Sequence, residues 1–358
     1  MQLKEIDLYI TEKCNLSCPF CSIQASANSV KELDYDTVTR FVDFCKDNNV
    51  TDIHITGGEP TLHKNYKEII RYVVESGIDV RLITNGLLIS KADLIELRDI
   101  GLEKIMISLD GLEDFHDSVR KKGAFKKTLS TISNAIELGF NVRVNAVAWM
   151  QNLTDIPQLM NILDGYSVNV FSVFLGSPVG RAKNQESLTV VGPQVWINFL
   201  ASLRSFYALK KMKIKVVVEQ GYLETYKDSS HTSLRSCTSI IQNTDYLSIR
   251  ADGNVYPCVF FSNDFQSLGN IHNPDAIDFQ KALEMSKFYN QVATLPTECE
   301  VCESVKYCQG GCRGFNYSTM TIGRDLRCNH HGYIPICPLI KINLFTDEMA
   351  ACTDDLLG

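Results

Sequence analysis

No apolar run in this 358-residue chain approaches the roughly 20 residues that span a bilayer, so no membrane-spanning helix is expected. No basic start precedes an apolar signal core; residues 1–10 read as a strand instead. Positive charge is not in excess. Lys and Arg number 35 against 42 Asp and Glu, a formal charge of −7. That balance argues against a nucleic-acid footprint, and no run of like charges forms a polyanion-binding tail. Low-complexity stretches and internal sequence repeats are absent too. These absences point to a cytoplasmic protein with neither nucleic acid nor membrane among its partners.

What the chain has in plenty is cysteine, 13 in all. Without a secretion signal, clustered cysteines in a reducing compartment bind metal more often than they pair. Cys14, Cys18 and Cys21 lie together in TEKCNLSCPFC. They supply three thiolates on one short loop. A [4Fe–4S] cluster wants four ligands, so one iron keeps an open position where chemistry can occur.

The first 220 or so residues alternate between strand and helix patterns. Strands are expected at 3–10, 52–56, 79–83, 104–109, 141–148, 168–175 and 214–219. Helices are expected at 34–48, 64–76, 91–100, 125–138, 156–163 and 194–209. In the first helix Val38, Phe41, Val42 and Cys45 share an apolar face, so Cys45 reads as core. Repeated βα units imply right-handed crossovers and parallel strands. Six units and a closing strand predict an α/β fold, a partial (β/α)6 TIM-like barrel. Chemistry in such barrels collects at the C-terminal strand ends.

Those ends carry a series of polar motifs. Gly57-Gly58-Glu59-Pro60 follows the second strand, and Thr84-Asn85-Gly86 the third. Ser108-Leu109-Asp110-Gly111 ends the fourth, Asn145 lies on the fifth, and a turn from Gly176 to Arg181 follows the sixth. Each alone could be a capped turn. Their placement on one face of one barrel favours a ligand site.

The three-cysteine loop with GGEP, TNG and SLDG resembles the radical S-adenosylmethionine (SAM) family over residues 4–219. The resemblance implies that Cys14, Cys18 and Cys21 hold a [4Fe–4S] cluster whose open iron is chelated by SAM. It implies that Gly57, Gly58 and Glu59 meet the methionine amine, and Ser108 and Asp110 the ribose. Phe20 would lie beside the adenine. Asn145 and Arg181 would complete the pocket, Arg181 being equally suited to a structural salt bridge. Reductive cleavage of SAM would then give a 5′-deoxyadenosyl radical that removes a hydrogen atom from substrate.

From about residue 220 the pattern changes. Two strand-like runs, 245–249 and 254–261, flank Asp252-Gly253 and predict a β-hairpin. A short helix is expected at 276–289, followed by a dense cysteine field. Too little apolar periodicity remains for an independent core, as in small domains held by metal. The expected division is 1–219 for the barrel, 220–342 for a bridge and cysteine-rich domain, and 343–358 for a tail.

Cys237, Gly253 and Cys258, followed by CxxCx5CxxxC at Cys299, Cys302, Cys308 and Cys312, resemble the SPASM extension of radical SAM enzymes. This implies two auxiliary clusters, and three [4Fe–4S] clusters in all. Cys237, Cys258 and Cys312 would serve the first. Cys299, Cys302 and Cys308 would serve the second, closed by Cys328 or Cys337. The remaining late cysteine would complete the first cluster; otherwise an iron there is left open. Structural zinc is the competing reading of the CxxC pairs. Cys352 reads as an exposed thiol, and His330 and His331 as ligands or surface.

SPASM relatives oxidise peptide and protein side chains by crosslink, thioether formation or dehydrogenation. That is the leading expectation for function. The same chemistry on a small molecule, such as an amino sugar, alcohol or tetrapyrrole, is the alternative, with Arg181 or another basic group reading a carboxylate. A non-catalytic iron–sulfur electron carrier or scaffold is the third class. Because the first strand starts near residue 3, a peptide substrate would call for a separate leader-binding partner or none. A flavodoxin or ferredoxin is the expected electron donor. Glu219 and Tyr222, past the last barrel strand, are candidate bases.

Overall fold

The computed structural model describes residues 3–219, 222–224, 246–261, 267–285, 290, 294–295, 297–302, 305, 333–335, 341–343 and 349–350. Seven parallel strands form its centre: β1 (Glu5–Thr11), β2 (Asp52–Gly57), β3 (Asp79–Thr84), β4 (Lys104–Ser108), β5 (Asn141–Ala148), β6 (Val170–Leu175) and β7 (Lys215–Glu219). Neighbours in sequence are neighbours in the sheet. Helices α1 (Tyr35–Asp47), α2 (Tyr66–Glu75), α3 (Lys91–Ile100), α4 (Glu113–Val119), α5 (Ala124–Glu137), α6 (Asp155–Gly165) and α7 (Pro193–Lys210) connect them. The expected partial barrel of six βα units and a closing strand is therefore present.

Local signals set the helix limits. Asp34 caps α1 by accepting from the Thr37 N–H at 2.8 Å. Ser90 and Asp93 form a capping box on α3, and Gly101 ends it in the left-handed region at φ 101°. Helix α4 escapes the periodicity argument because its seven residues make barely two turns.

Strands β1, β2 and β5 alternate apolar and polar residues. Ile6, Leu8 and Ile10 of β1 join the core with Phe41 and Val42 of α1. The alternate residues face inward, and there the barrel is polar. His54 Nδ1 lies 2.9 Å from Asp7 Oδ1, Arg81 Nη1 is 3.2 Å from His54 Nε2, and Arg143 Nε donates to Ser172 Oγ at 2.6 Å. Buried charges persist because they are paired and hydrogen-bonded.

The expected hairpin forms from β9 (Tyr246–Ile249) and β10 (Asn254–Tyr256), after β8 (Tyr222–Glu224). It is continuous with the barrel, because β9 pairs in parallel with β1, Glu5 opposite Tyr246 and Leu8 opposite Ile249. Further strands are β11 (Gly269–Asn270), β12 (Tyr333–Pro335), β13 (Lys341–Asn343) and β14 (Met349–Ala350). One twelve-stranded sheet runs β11-β10-β9-β1 through β7 to β13-β14, while β12 pairs with β8. Later chain thus flanks both edges of the barrel. Helix α8 (Phe279–Met285) falls within the expected 276–289. Among the described residues no helix is long and apolar enough to cross a membrane.

Candidate active site

The loop after β1 brings its three thiols into one apolar nest. Cys14 and Cys18 are buried with Tyr9, Leu16, Ile23 and Ala25, and Phe20, Cys21, Leu87 and Val259 pack against them. Burial pushes the Cys14 thiol up to about 12 and raises Cys18 as well. Such thiols stay protonated by themselves; a bound metal supplies the positive charge that deprotonates them. Cysteines converging without a disulfide, in an apolar setting, fit an iron–sulfur cluster.

Distant chain holds this loop in shape. Arg181 donates through Nε to the Cys18 carbonyl at 2.8 Å and through Nη1 to the Ala25 carbonyl at 2.8 Å. Its N–H donates to the Cys21 carbonyl at 3.0 Å. Of the roles open to Arg181, the observed contacts are backbone clamping rather than a salt bridge. Gly180 sits so close that an added Cβ would lie 2.3 Å from the Cys21 carbonyl oxygen. Gly58 is pressed against the loop from the other side, where a Cβ would come within 2.2 Å of the Lys13 carbonyl oxygen. The glycines of GGEP therefore allow the close approach of the cysteine loop itself.

Glu59 is fully buried. Its Oε1 accepts from Thr61 Oγ1 and Thr84 Oγ1, each at 2.7 Å, and its Oε2 accepts from the Asn85 N–H at 2.8 Å. Burial pushes its carboxyl up against the pull of these donors. GGEP and TNG are thereby joined through one carboxylate. Asn85 reaches onward to Asn15 Oδ1 at 2.8 Å, inside the cysteine loop.

Asp110 is also fully buried. Its Oδ2 accepts from Arg120 Nε at 2.7 Å and its Oδ1 from the Val147 N–H at 3.2 Å. Any ribose contact must share this carboxylate with Arg120. The Asp110 N–H donates to His116 Nδ1 at 3.1 Å, and burial pushes His116 down to about 4. Arg120 and His116 lie outside the four motifs, and sequence reasoning missed both. The one available signal was the basic run Arg120-Lys121-Lys122, too common to single out.

Ser108 is half-buried at the end of β4, opposite Asn145 on β5. Among the described residues, the buried atoms Asn145 Oδ1 and Trp149 Nε1 find no hydrogen-bond partner. Phe20 lies 6.2 Å from the Trp149 ring, centroid to centroid. Unmet polar atoms beside aromatic rings at the strand ends suit a polar, ring-bearing ligand such as SAM.

Of the second cysteine field, Cys258 is buried just after β10, Cys299 is buried, and Cys302 is half-buried. A turn joins the last two, the Cys302 N–H donating to the Cys299 carbonyl at 3.1 Å. Cys237, Cys308, Cys312, Cys328, Cys337 and Cys352, with His330 and His331, lie outside the described residues. Glu219 ends β7 opposite Lys341, and Tyr222 opens β8 opposite Pro335. Cys45 is fully buried in α1, as expected of a core thiol.

Comparison with known proteins places the chain in a family. The family model described as the radical SAM superfamily matches residues 8–163, and the SPASM iron–sulfur cluster-binding domain matches residues 237–303. An AdoMet-dependent heme synthase of Methanosarcina barkeri is 25% identical over 324 residues, 86% of this chain and 90% of that protein. The antilisterial bacteriocin subtilosin biosynthesis protein AlbA of Bacillus subtilis is 28% identical over 319 residues, covering 86% and 67%. The structure of Streptococcus suis SuiB bound to its precursor peptide SuiA superposes with a TM-score of 0.74 at 19% identity, covering 92% and 76%.

Proposed function

The chain belongs to the radical SAM superfamily and carries a SPASM iron–sulfur domain, and we propose that it catalyses net oxidation of a peptide or protein side chain. It is an enzyme, with SAM and [4Fe–4S] clusters as its cofactors. When bound, the cluster and SAM supply hydrogen-atom abstraction, and an auxiliary cluster supplies a sink for the second electron. We assign three clusters, or about twelve irons per chain at four each.

The chain's own residues do the positioning. Cys14, Cys18 and Cys21 are the ligands of the reacting cluster. Arg181, Gly58 and Gly180 fix the loop that carries them. Ser108, Asn145, Phe20 and Trp149 line the strand ends and keep water out.

The observation that supports an oxidative outcome is the pairing of β9 with β1. It carries Cys258, an expected auxiliary ligand, to the rim of the cysteine loop, where the adjacent Val259 packs against the nest. Arg250 joins the two sides: its guanidinium lies 4.3 Å over the Tyr9 ring and its Nη2 donates to the Val259 carbonyl at 3.1 Å. An electron acceptor beside the radical site favours dehydrogenation or crosslinking over redox-neutral chemistry.

Similarity to AlbA favours a peptide substrate. Similarity to the heme synthase across most of both chains favours a tetrapyrrole as the second reading. Reconstituted, dithionite-reduced enzyme should be given SAM with either a candidate precursor peptide or an iron porphyrin. Loss of a hydrogen pair from the peptide by mass spectrometry is the expected result. Turnover of the porphyrin alone would replace the peptide reading.

A further inference from the structure

We propose that Arg120 is a positioning residue for the iron–sulfur cluster, donating to the Cys18 sulfur and easing the cluster's uptake of its electron. This rests on the cluster assignment above and is independent of which substrate is oxidised.

Arg120 is 102 residues from Cys18 in the chain, yet its Nη1 lies 3.5 Å from Cys18 Sγ. Its side chain is only 13% exposed. Three contacts fix the guanidinium plane. Nε donates to Asp110, Nη1 points at the sulfur, and the Phe20 ring lies 5.2 Å from the guanidinium carbon. A guanidinium keeps its charge in proteins and offers donors in a rigid fork.

Asp110, which aims that fork, is itself tied down from three sides. The Val147 N–H donates to its Oδ1, Asn152 Nδ2 donates to its carbonyl, and its own N–H donates to His116. The end of β4, the end of α4 and the end of β5 therefore converge to hold one cation against one cluster ligand. A structural ion pair alone would need only Asp110 and Arg120; it would not need Nη1 on a thiol.

The consequence is electrostatic. On reduction one electron enters from a low-potential donor, the cluster's charge falls by one, and no proton moves. Hydrogen bonds to the sulfurs and nearby positive charge stabilise that more negative state, and both are recognised levers on cluster potential. Arg120 supplies both at Cys18. Without it the sulfur keeps more electron density, and the reduced cluster is harder to form.

The test is an EPR-monitored redox titration of the full chain with all clusters reconstituted. The signal that responds to added SAM identifies the cluster at the Cys14–Cys21 loop. In Arg120→Gln we expect the reduced-to-oxidised ratio of this cluster at fixed potential to fall about tenfold, a shift of about 59 mV to more negative potential for one electron. Arg120→Lys, which keeps charge but loses the fork, should shift the same way by less. Auxiliary signals should not move. If Arg120→Gln loses iron from this site, the lysine variant alone decides. An unchanged midpoint in a variant with full iron overturns the proposal, and so does a variant in which only SAM affinity falls. A wild-type protein with no SAM-responsive signal would instead overturn the cluster assignment itself.

Discussion

Cys14, Cys18 and Cys21 depend on chain far away in sequence, whereas Cys299 and Cys302 are linked by a local turn. The first group is gripped by Gly58 after β2, Asn85 after β3, Arg120 after α4 and Arg181 after β6. Cys299 and Cys302 have the Cys302 N–H to Cys299 carbonyl bond, followed by the Val305 N–H to Cys302 carbonyl bond at 3.0 Å. A loop held by the barrel is preorganised before any cluster binds, which would keep the open iron of the proposed cluster in fixed register with its ligand. Ligands carried on one short turn suit a domain whose folding the cluster itself stabilises.

That contrast is most directly broken by removing the first set of ligands. The triple substitution of Cys14, Cys18 and Cys21 by Ala should abolish SAM cleavage and remove about four irons per chain. The barrel holds the emptied loop, so absorbance from the auxiliary clusters should persist. Complete loss of iron would show that the two regions assemble together.

Gly58→Ala tests the grip itself. Its Cβ would meet backbone at 2.2 Å, which no side-chain rotation relieves. We expect several-fold lower iron retention at the first site, and destabilisation of about 1–3 kcal/mol from overpacking. Iron content and thermal melting of the same preparation measure both. The auxiliary clusters should be retained.

His116 gives the grip a pH limit. Its folded pKa is pushed down to about 4 from the ordinary 6.5. As pH falls below 6.5 the unfolded chain takes up a proton that the folded chain refuses. Stability is therefore full above that pH and is lost as pH falls towards about 4. At about 1.36 kcal/mol per pKa unit the loss is on the order of 3 kcal/mol. Thermal melts across this window should show a shallower slope in His116→Asn, which keeps an acceptor for the Asp110 N–H. Equal slopes in the two proteins would remove His116 as the cause.

Cys45→Ala should have the smallest effect. The thiol is buried in α1 within the apolar core, so the loss is packing, about 1–2 kcal/mol. Iron content and SAM cleavage should be unchanged. A drop in iron would make Cys45 part of the cluster system after all.

Much of the barrel was legible because its signals are local. Apolar periodicity marked the strands and all but one of the connecting helices, and α4 was missed because seven residues carry too little period. The Asp252-Gly253 turn marked the hairpin. The motif positions were legible as well, since each follows a strand. Their contacts were not. Glu59 and Asp110 read as ligand carboxylates, yet each is fully buried and accepts from several protein donors. Burial and partner choice depend on what chain arrives from elsewhere, and no spacing encodes that.

By itself, then, the sequence determined the run of βα units, the three-thiol loop and the two separate cysteine fields. Periodicity, turn chemistry and ligand spacing act over a few residues and can be read without coordinates. Only the tertiary structure decided that β9 would lie on β1, that Arg181 would clamp the loop, and that Arg120 would reach Cys18. Those contacts span 102 to 241 residues. They exist because a run of parallel strands brings every strand end to one rim, where short-range forces then select partners.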